Sequence, residues 1–283
     1  MASPIDSSGI SFTALYTGAV WQRHGLSEEG LIPPSGQALY SLLTPFEGVS
    51  RVVAGGSVRT FLLQRHFIID HLITEAIEHR GVEQVLEIAC GLSPRGIRLR
   101  RQFPRLQMIE ADLPAMATRK AAFLATRGFL GEHHRVRPID IFADSGPLSL
   151  EAVIDEQFDP DRPLLVVTEG LTSYFTLANI SQFWCRLAAV LSKRPGSAYI
   201  SETYLQPSSR LIGGGLNVLR QALGAMTRAQ VSFHFRNGEE ARQHVAQSGF
   251  KYVEAVNPED YYGRLPIPES RGDPMVRILD ARV

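Results

Sequence analysis

Four acidic residues, Glu87, Asp112, Asp140 and Glu169, stand at or just past the ends of short β-rich runs. Ligands of open parallel sheets bind beyond the carboxyl ends of the strands, so acids in this register are candidates for one shared site. The richest segment is VLEIACGLSPRG, residues 85–96, where a strand pattern ends near Glu87 and the chain turns through Cys90, Gly91, Leu92 and Ser93 toward a helix. Gly91 lacks a Cβ, so its backbone can approach a ligand closely and adopt positive φ. The helix start that follows offers unpaired N–H groups, and Glu87 stands where a carboxylate can help hold an ammonium. A dinucleotide fold would want GxGxxG, and only one glycine precedes Gly96. A P-loop would want a lysine where Ile97 stands. Taken alone, the segment also fits a glycine in an ordinary strand-to-helix turn.

Asp112 lies about 20 residues beyond Gly91, at the tip of the next strand pattern, where an acid can accept hydrogen bonds from ribose hydroxyls. It can equally cap the helix that opens at Leu113-Pro114. Glu110 shares its strand parity, and position at the tip favours Asp112. Asp140 follows the third strand pattern and can accept from an adenine amino group, or be an ordinary loop residue. Glu169 follows LLVVT, with Gly170 after it and Tyr174 close behind. An acid there would carry a desolvation cost without a polar role.

The elements that must position these residues alternate. Val85–Ala89, Leu106–Ala111, Arg135–Ile139, Leu164–Thr168 and Ala198–Thr203 read as strands. Ile97–Phe103, Ala115–Arg127 and Leu177–Leu191 read as helices between them. Such alternation indicates βαβ units and a parallel sheet covered on both faces. Ahead of them, Phe12–Gly25, Gln37–Phe46 and Val58–Arg80 read as helices, the last from apolar residues spaced by three and four. Residues about 206–235, with Gly213-Gly214-Gly215, read as an insertion. Glu239–Ser248 reads as a helix, Lys251–Val256 and Met275–Ala281 as strands, and Pro258–Pro274 as a surface loop.

Composition narrows the classes. The 283 residues suit one large α/β domain, with residues 1–80 as a helical N-terminal cap and 81–283 as the ligand-binding domain. Lys+Arg and Asp+Glu both number 29, so no basic excess points to nucleic acid. No apolar run is long enough for a transmembrane helix. The N-terminus lacks a secretory pattern. Cys90 and Cys185 form neither a disulfide framework nor a zinc spacing, and no metal is expected. A small-molecule substrate, no nucleic-acid or membrane partner and a cytoplasmic location are the expectations.

As a set, several segments resemble the leucine carboxyl methyltransferase-like branch of the class I S-adenosylmethionine (SAM)-dependent methyltransferases, which includes bacterial polyketide-type O-methyltransferases. They are TALYTGAVWQRHGLS near the start, LLQRHFIIDHLI at Leu62–Ile73, VLEIACGLSPRG, IEADLPAM at Ile109–Met116, PIDIFADSG at Pro138–Gly146 and VVTEGLTSYF at Val166–Phe175. The resemblance spans roughly residues 12–192. It implies a Rossmann-like seven-stranded α/β sheet whose last strand inserts antiparallel, with the helical cap. It implies that Arg65 pairs with the SAM carboxylate, and that Glu87 and Gly91 belong to the loop around the methionine end. Asp112 would take the ribose, Asp140 the adenine, and Glu169 the neighbourhood of the amino group. Ala89, Leu113 and Ile141 complete the expected cofactor-binding set. Ser93 stands where the family often has another small residue or glycine.

SAM offers a carboxylate, an ammonium, a sulfonium, a ribose and an adenine. Arg65 suits the carboxylate, the acids suit the donors, and Tyr16, Trp21 and Tyr174 could face the sulfonium through cation–π attraction. Packing in the cap accounts equally well for Tyr16 and Trp21. Methyl transfer to a carboxylate or hydroxyl oxygen of a small metabolite is the leading reading, with Tyr174, Tyr16 and Glu169 as catalytic candidates. His24, His66 and His234 could serve as a base, although a lone histidine is more often structural. Two alternatives stay open. SAM could be the sole substrate, its amine closing an azetidine-2-carboxylate ring with release of methylthioadenosine. The chain could also bind SAM without turnover.

Overall fold

The computed structural model describes residues 7–33, 35–38, 40–41, 57–206, 232–271 and 273–283. The expected insertion at 206–235 falls almost wholly outside the described residues, as does most of the helix expected at Gln37–Phe46. Among the described residues, no helix is long and apolar enough to cross a membrane.

Helix α1 (Ser7–Arg23) and helix α2 (Val58–Arg80) precede the alternating region. Ser57 starts α2 with a reciprocal capping pair to Thr60, and Gly81 ends it at φ +67°. Then follow β1 (Gln84–Ile88), α3 (Arg95–Gln102), β2 (Gln107–Asp112), α4 (Pro114–Thr126), β3 (His134–Pro138), α5 (Leu150–Gln157), β4 (Leu164–Thr168), α6 (Leu177–Leu191) and β5 (Ala198–Tyr204). Helix α7 (Gly238–Gln247), β6 (Tyr252–Val256) and β7 (Val276–Arg282) close the chain. The seven strands lie in the order β3-β2-β1-β4-β5-β7-β6. All pairs from β3 to β5 are parallel, and β7 enters antiparallel between β5 and β6. The seven-stranded sheet with an antiparallel last strand is thus present.

Residues alternate between the two faces of each strand. Val85, Met108, Leu165, Val167, Ile200 and Ile278 pack under Ile68, Ile69, Leu72, Ile73 and Ala76 of α2. Leu86, Ile109, Val166 and Tyr199 pack on the opposite face against residues of α5 and α6 such as Val153, Ile180 and Trp184. Helix α2 does double duty. Its second half covers the sheet, while Leu62 and Leu63 near its start pack with Tyr16 and Val20 of α1 and Leu92 of the Gly91 loop.

One element lies outside the sequence reading: helix α5, eight residues with a Ser149 cap. The Pro258–Pro274 stretch runs largely over the surface, as expected, and is fastened there. It opens with a 3₁₀ turn at Pro258–Tyr261, buries Ile267 beneath α2, and is tied to Gln64, whose amide donates to the Pro268 carbonyl at 2.9 Å and to Tyr262 Oη at 3.1 Å.

Candidate functional site

The parallel register brings the carboxyl ends of β1 to β5 to one edge. Ile88 pairs with Ala111 and Thr168, and Asp112 pairs with Pro138. Asp112 closes the β1–β2 corner: its Oδ2 accepts from Gly91 N–H at 2.7 Å and its Oδ1 from Leu113 N–H at 2.8 Å. Burial still raises its pKa, against both backbone donors and Lys120. The turn is tight. Ala89 is the one non-glycine with positive φ among the described residues, and Gly91 sits at φ +47°. For an alanine, that conformation stores strain of a kind concentrated at ligand sites. Helix α1 lies directly on this turn, since a Cβ at Gly91 would meet Ala14 at 3.3 Å and one at Gly18 would meet Leu92 at 3.7 Å.

A buried ionic platform supports the turn from the α2 face. Strand parity puts Glu87, Glu169 and Glu202 on that face, from the adjacent strands β1, β4 and β5. Arg95, from the first turn of α3, is fully buried and bonds Glu87, Glu169 and, at 2.6 Å, Asp70. Arg65 donates from Nε to Glu169 at 2.9 Å and from Nη1 to Tyr204 Oη at 3.0 Å. His66 Nδ1 lies 2.8 Å from Glu169 Oε2, and its Nε2 lies 2.8 Å from Arg98 Nη2. His66 Nδ1 also lies 3.1 Å from Arg95 Nη2. Burial works to raise the Glu169 pKa, but His66, Arg95 and Arg65 outweigh it and hold the carboxyl well below the usual glutamate range. For Glu87 burial wins, and its pKa is raised despite Arg95 and Lys120. Burial also pushes Glu202 up, to about 7, with Glu169 adding to the rise and Arg65 opposing it.

A second buried cluster holds the turn from below. Lys120 of α4 is fully buried, donates to the Ser93 carbonyl at 2.7 Å and pairs with Glu110 at 2.9 Å. Burial disfavours its charge, but the surrounding Cys90, Glu110 and Glu87 raise its pKa. Gly96 is required beside them, because a Cβ there would fall 2.3 Å from Glu110 Oε1.

Direct contacts join Arg65 to Glu169, and Asp112 to Gly91 and Leu113, while Glu87 reaches Glu169 through Arg95 and Ala89 stands in the turn between Glu87 and Gly91. Asp140 follows β3, with Oδ1 accepting from Phe142 N–H at 3.0 Å, and Ile141 is buried beside it. Tyr174 lies close enough to Arg65 to interact electrostatically. Tyr16 is buried in the cap and stacks on Tyr40 at 6.0 Å, and Trp21 packs on His66 at 4.7 Å. Of the three histidines considered, only His66 joins the acid platform. His24 contacts the Val20 carbonyl, and His234 the Thr172 carbonyl.

Sequence reasoning missed Arg95, Asp70, Lys120, Glu202 and Tyr204. Three of them left signals. An arginine in the first turn of a helix opposes the helix dipole and so wants anionic partners. Lys120 interrupts the buried stripe Ala117–Leu124 of α4. Glu202 ends β5 much as Glu169 follows β4.

The strand order, the antiparallel β7 and the acid-lined edge define a Rossmann-like α/β fold of the class I methyltransferase type. A solved structure of a candidate methyltransferase from Thermobifida fusca superposes with a TM-score of 0.60 at 14% identity, covering 99% of each chain. The family model for leucine carboxyl methyltransferase matches residues 44–186, just over half of the chain. The chain belongs to the leucine carboxyl methyltransferase family. Among curated relatives, a candidate SAM-dependent methyltransferase of Mycobacterium tuberculosis is 34% identical over 119 residues, 42% of this chain and 37% of the relative. The match thus spans little more than a third of that relative's length. A Mycolicibacterium smegmatis protein of the same description is 26% identical over 227 residues, 77% of this chain and 67% of the relative.

Proposed function

We propose that this protein binds SAM at the carboxyl ends of β1 to β5 and transfers its methyl group to a carboxylate or hydroxyl oxygen of a small molecule. The observation that carries the reading is the Asp112 carboxylate, buried at the β2 tip and clamped between the N–H groups of Gly91 and Leu113. Those two bonds use one lone pair on each oxygen and leave the others for a vicinal diol. The remaining groups fit the other parts of the cofactor. Arg65 keeps Nη2 without a hydrogen bond among the described residues, available to a carboxylate. Buried Glu87 and Glu202 each keep one oxygen without a hydrogen-bond partner, a costly arrangement that an ammonium would relieve. Asp140 and Ile141 offer an acid and an apolar wall to an adenine.

SAM supplies an electrophilic methyl on a sulfonium sulfur. The protein's share is then alignment and exclusion of water, which can contribute several kcal/mol without acid–base help. The cap residues Ala14 and Gly18, seated on the Gly91 turn, cover the methionine-side loop. Arg95, His66 and Arg65 hold Glu169 ionised at its floor.

The test is calorimetric binding of SAM to wild type and to Asp112→Ala, with at least a tenfold loss of affinity expected and unchanged affinity counting against the site. Mass analysis after incubation with SAM then reads the reaction. S-adenosylhomocysteine formed only when an acceptor is added supports transfer. Methylthioadenosine and a ring amino acid from SAM alone would replace transfer with cyclisation.

A further inference from the structure

The loop that carries Asp140 and Ile141 is held by a residue of a distant element. Residues 140–149 join β3 to α5 without helix or strand. The loop's start is fixed by backbone bonds: Ile139 N–H donates to the Asp112 carbonyl at 2.8 Å, and Asp140 N–H to the Leu148 carbonyl at 2.8 Å. Phe142 packs edge-to-face on Phe175, with ring centroids 4.7 Å apart. The carbonyls on either side of Phe142 both accept from Arg186 of α6, Ile141 from Nη1 at 3.0 Å and Ala143 from Nη2 at 2.9 Å. The same guanidinium donates to Glu151, in the first turn of α5, from Nε at 3.1 Å and from Nη2 at 2.6 Å. This two-bond fork sets the plane of the guanidinium, so its other N–H groups are aimed at the loop. The Arg186 pKa is raised, first by the Glu151 bonds and, against burial, by Asp144 and Asp140 nearby. The loop's outer side borders an open groove lined by Phe142, Asp144, Ser181 and Cys185, so the two carbonyl bonds, rather than packing, fix the loop there.

We infer that Arg186 is a positioning residue for the adenine end of the cofactor: docked on Glu151, it holds the Ile141 and Ala143 carbonyls and thereby aims the Asp140 carboxylate and the Ile141 wall. The inference rests on the SAM reading. Asp140 belongs to the clamped segment, because its Oδ1 accepts from Phe142 N–H at 3.0 Å and its carbonyl from Ala143 N–H at 3.1 Å. Ala143 is thus bonded on both sides, to Asp140 through its N–H and to Arg186 through its carbonyl, and a shift of the guanidinium is passed to Asp140. Arg186 acts on base recognition through Asp140, without a ligand contact of its own.

Calorimetry with two probes tests this. S-inosylhomocysteine differs from S-adenosylhomocysteine in carrying an oxo group where adenine has its 6-amino group, the group assigned to Asp140. Wild type should favour S-adenosylhomocysteine by at least about tenfold, the scale of one hydrogen bond to a charged group. In Arg186→Met that preference should fall below about threefold, because S-adenosylhomocysteine weakens while S-inosylhomocysteine, which never had the bond, changes little. A merely structural role would weaken both probes alike and keep the preference. Glu151→Ala undocks Arg186 and should lower the preference in the same direction, and the double variant should be no worse than Arg186→Met alone. Glu151 is 39% exposed, so its variant carries the test even if Arg186→Met fails to fold. An undiminished preference in the variants, or additive losses in the double variant, overturns the clamp. Equal binding of the two probes by wild type, or binding of neither, overturns the adenine assignment itself and the clamp with it.

Discussion

Arg95 is the residue on which the site's architecture turns, and Arg95→Met tests that directly. The side chain is fully buried and bonded to Asp70, Glu87 and Glu169, which come from α2, β1 and the end of β4. Methionine fills most of the volume but leaves the carboxylates of Glu87 and Glu169, 1% and 3% exposed, short of a cation. Charge-assisted bonds are worth about 1.5–3 kcal/mol each, but bonds sharing one donor are not additive. Removing one partner of a buried ion pair costs about 3–5 kcal/mol, and that is the loss expected at pH 7. Against a typical stability of about 5–15 kcal/mol, this is a large fraction. At a urea slope of about 3 kcal/mol/M, the midpoint falls by roughly 1–1.7 M. The pH dependence adds a second reading. The folded-state pKa of Glu169 is depressed, so its contribution is present above the unfolded glutamate value and lost as pH falls through the folded one. The gap between wild type and variant should therefore be full at pH 7 and shrink below about pH 4.5. A loss under about 1 kcal/mol, or one that does not vary with pH, would refute the claim that Arg95 neutralises this platform.

Other outcomes follow from the same contacts. Gly96→Ala places a methyl against Glu110 and His134, and should destabilise by about 1–3 kcal/mol in chemical denaturation despite alanine's better helix propensity. Lys120→Met strips the buried Glu110 and the Ser93 carbonyl of their partner, and should cost about 3–5 kcal/mol, read as a lowered urea midpoint. Glu202→Gln should stabilise the ligand-free protein at alkaline pH. Its folded pKa is raised, so the native state loses stability as pH climbs from the unfolded glutamate value to about 7. The variant's thermal midpoint should exceed wild type at pH 8 and match it near pH 4, and the gain is on the order of 3 kcal/mol.

Much of this molecule is legible in its sequence because strand and helix patterns alternate cleanly. The run at Leu164 is apolar on both faces, as a doubly covered parallel sheet requires, and those at Val85 and Leu106 are interrupted only by Glu87, Gln107 and Glu110. The acids at and past their ends fall along one edge of the sheet, and that placement is readable without any knowledge of the fold. The charge networks beneath that edge are less legible. Arg95 and Lys120 look like surface cations in their helices, and only the three-dimensional register shows that each is buried among carboxylates. Glu169 shows the same limit from the other side. Its position is readable from LLVVTEG, but its bonds to Arg65, His66 and Arg95, about 70 to 100 positions away, are not. Glu202, similar in local context, keeps one oxygen without a hydrogen-bond partner among the described residues.

A crystal structure with S-adenosylhomocysteine tests the central claim most directly. The ribose should lie against Asp112, the adenine beside Asp140 and Ile141, and the amino-acid end beside Arg65. A nucleoside seated on another face, or a ribose without contact to Asp112, would contradict the account.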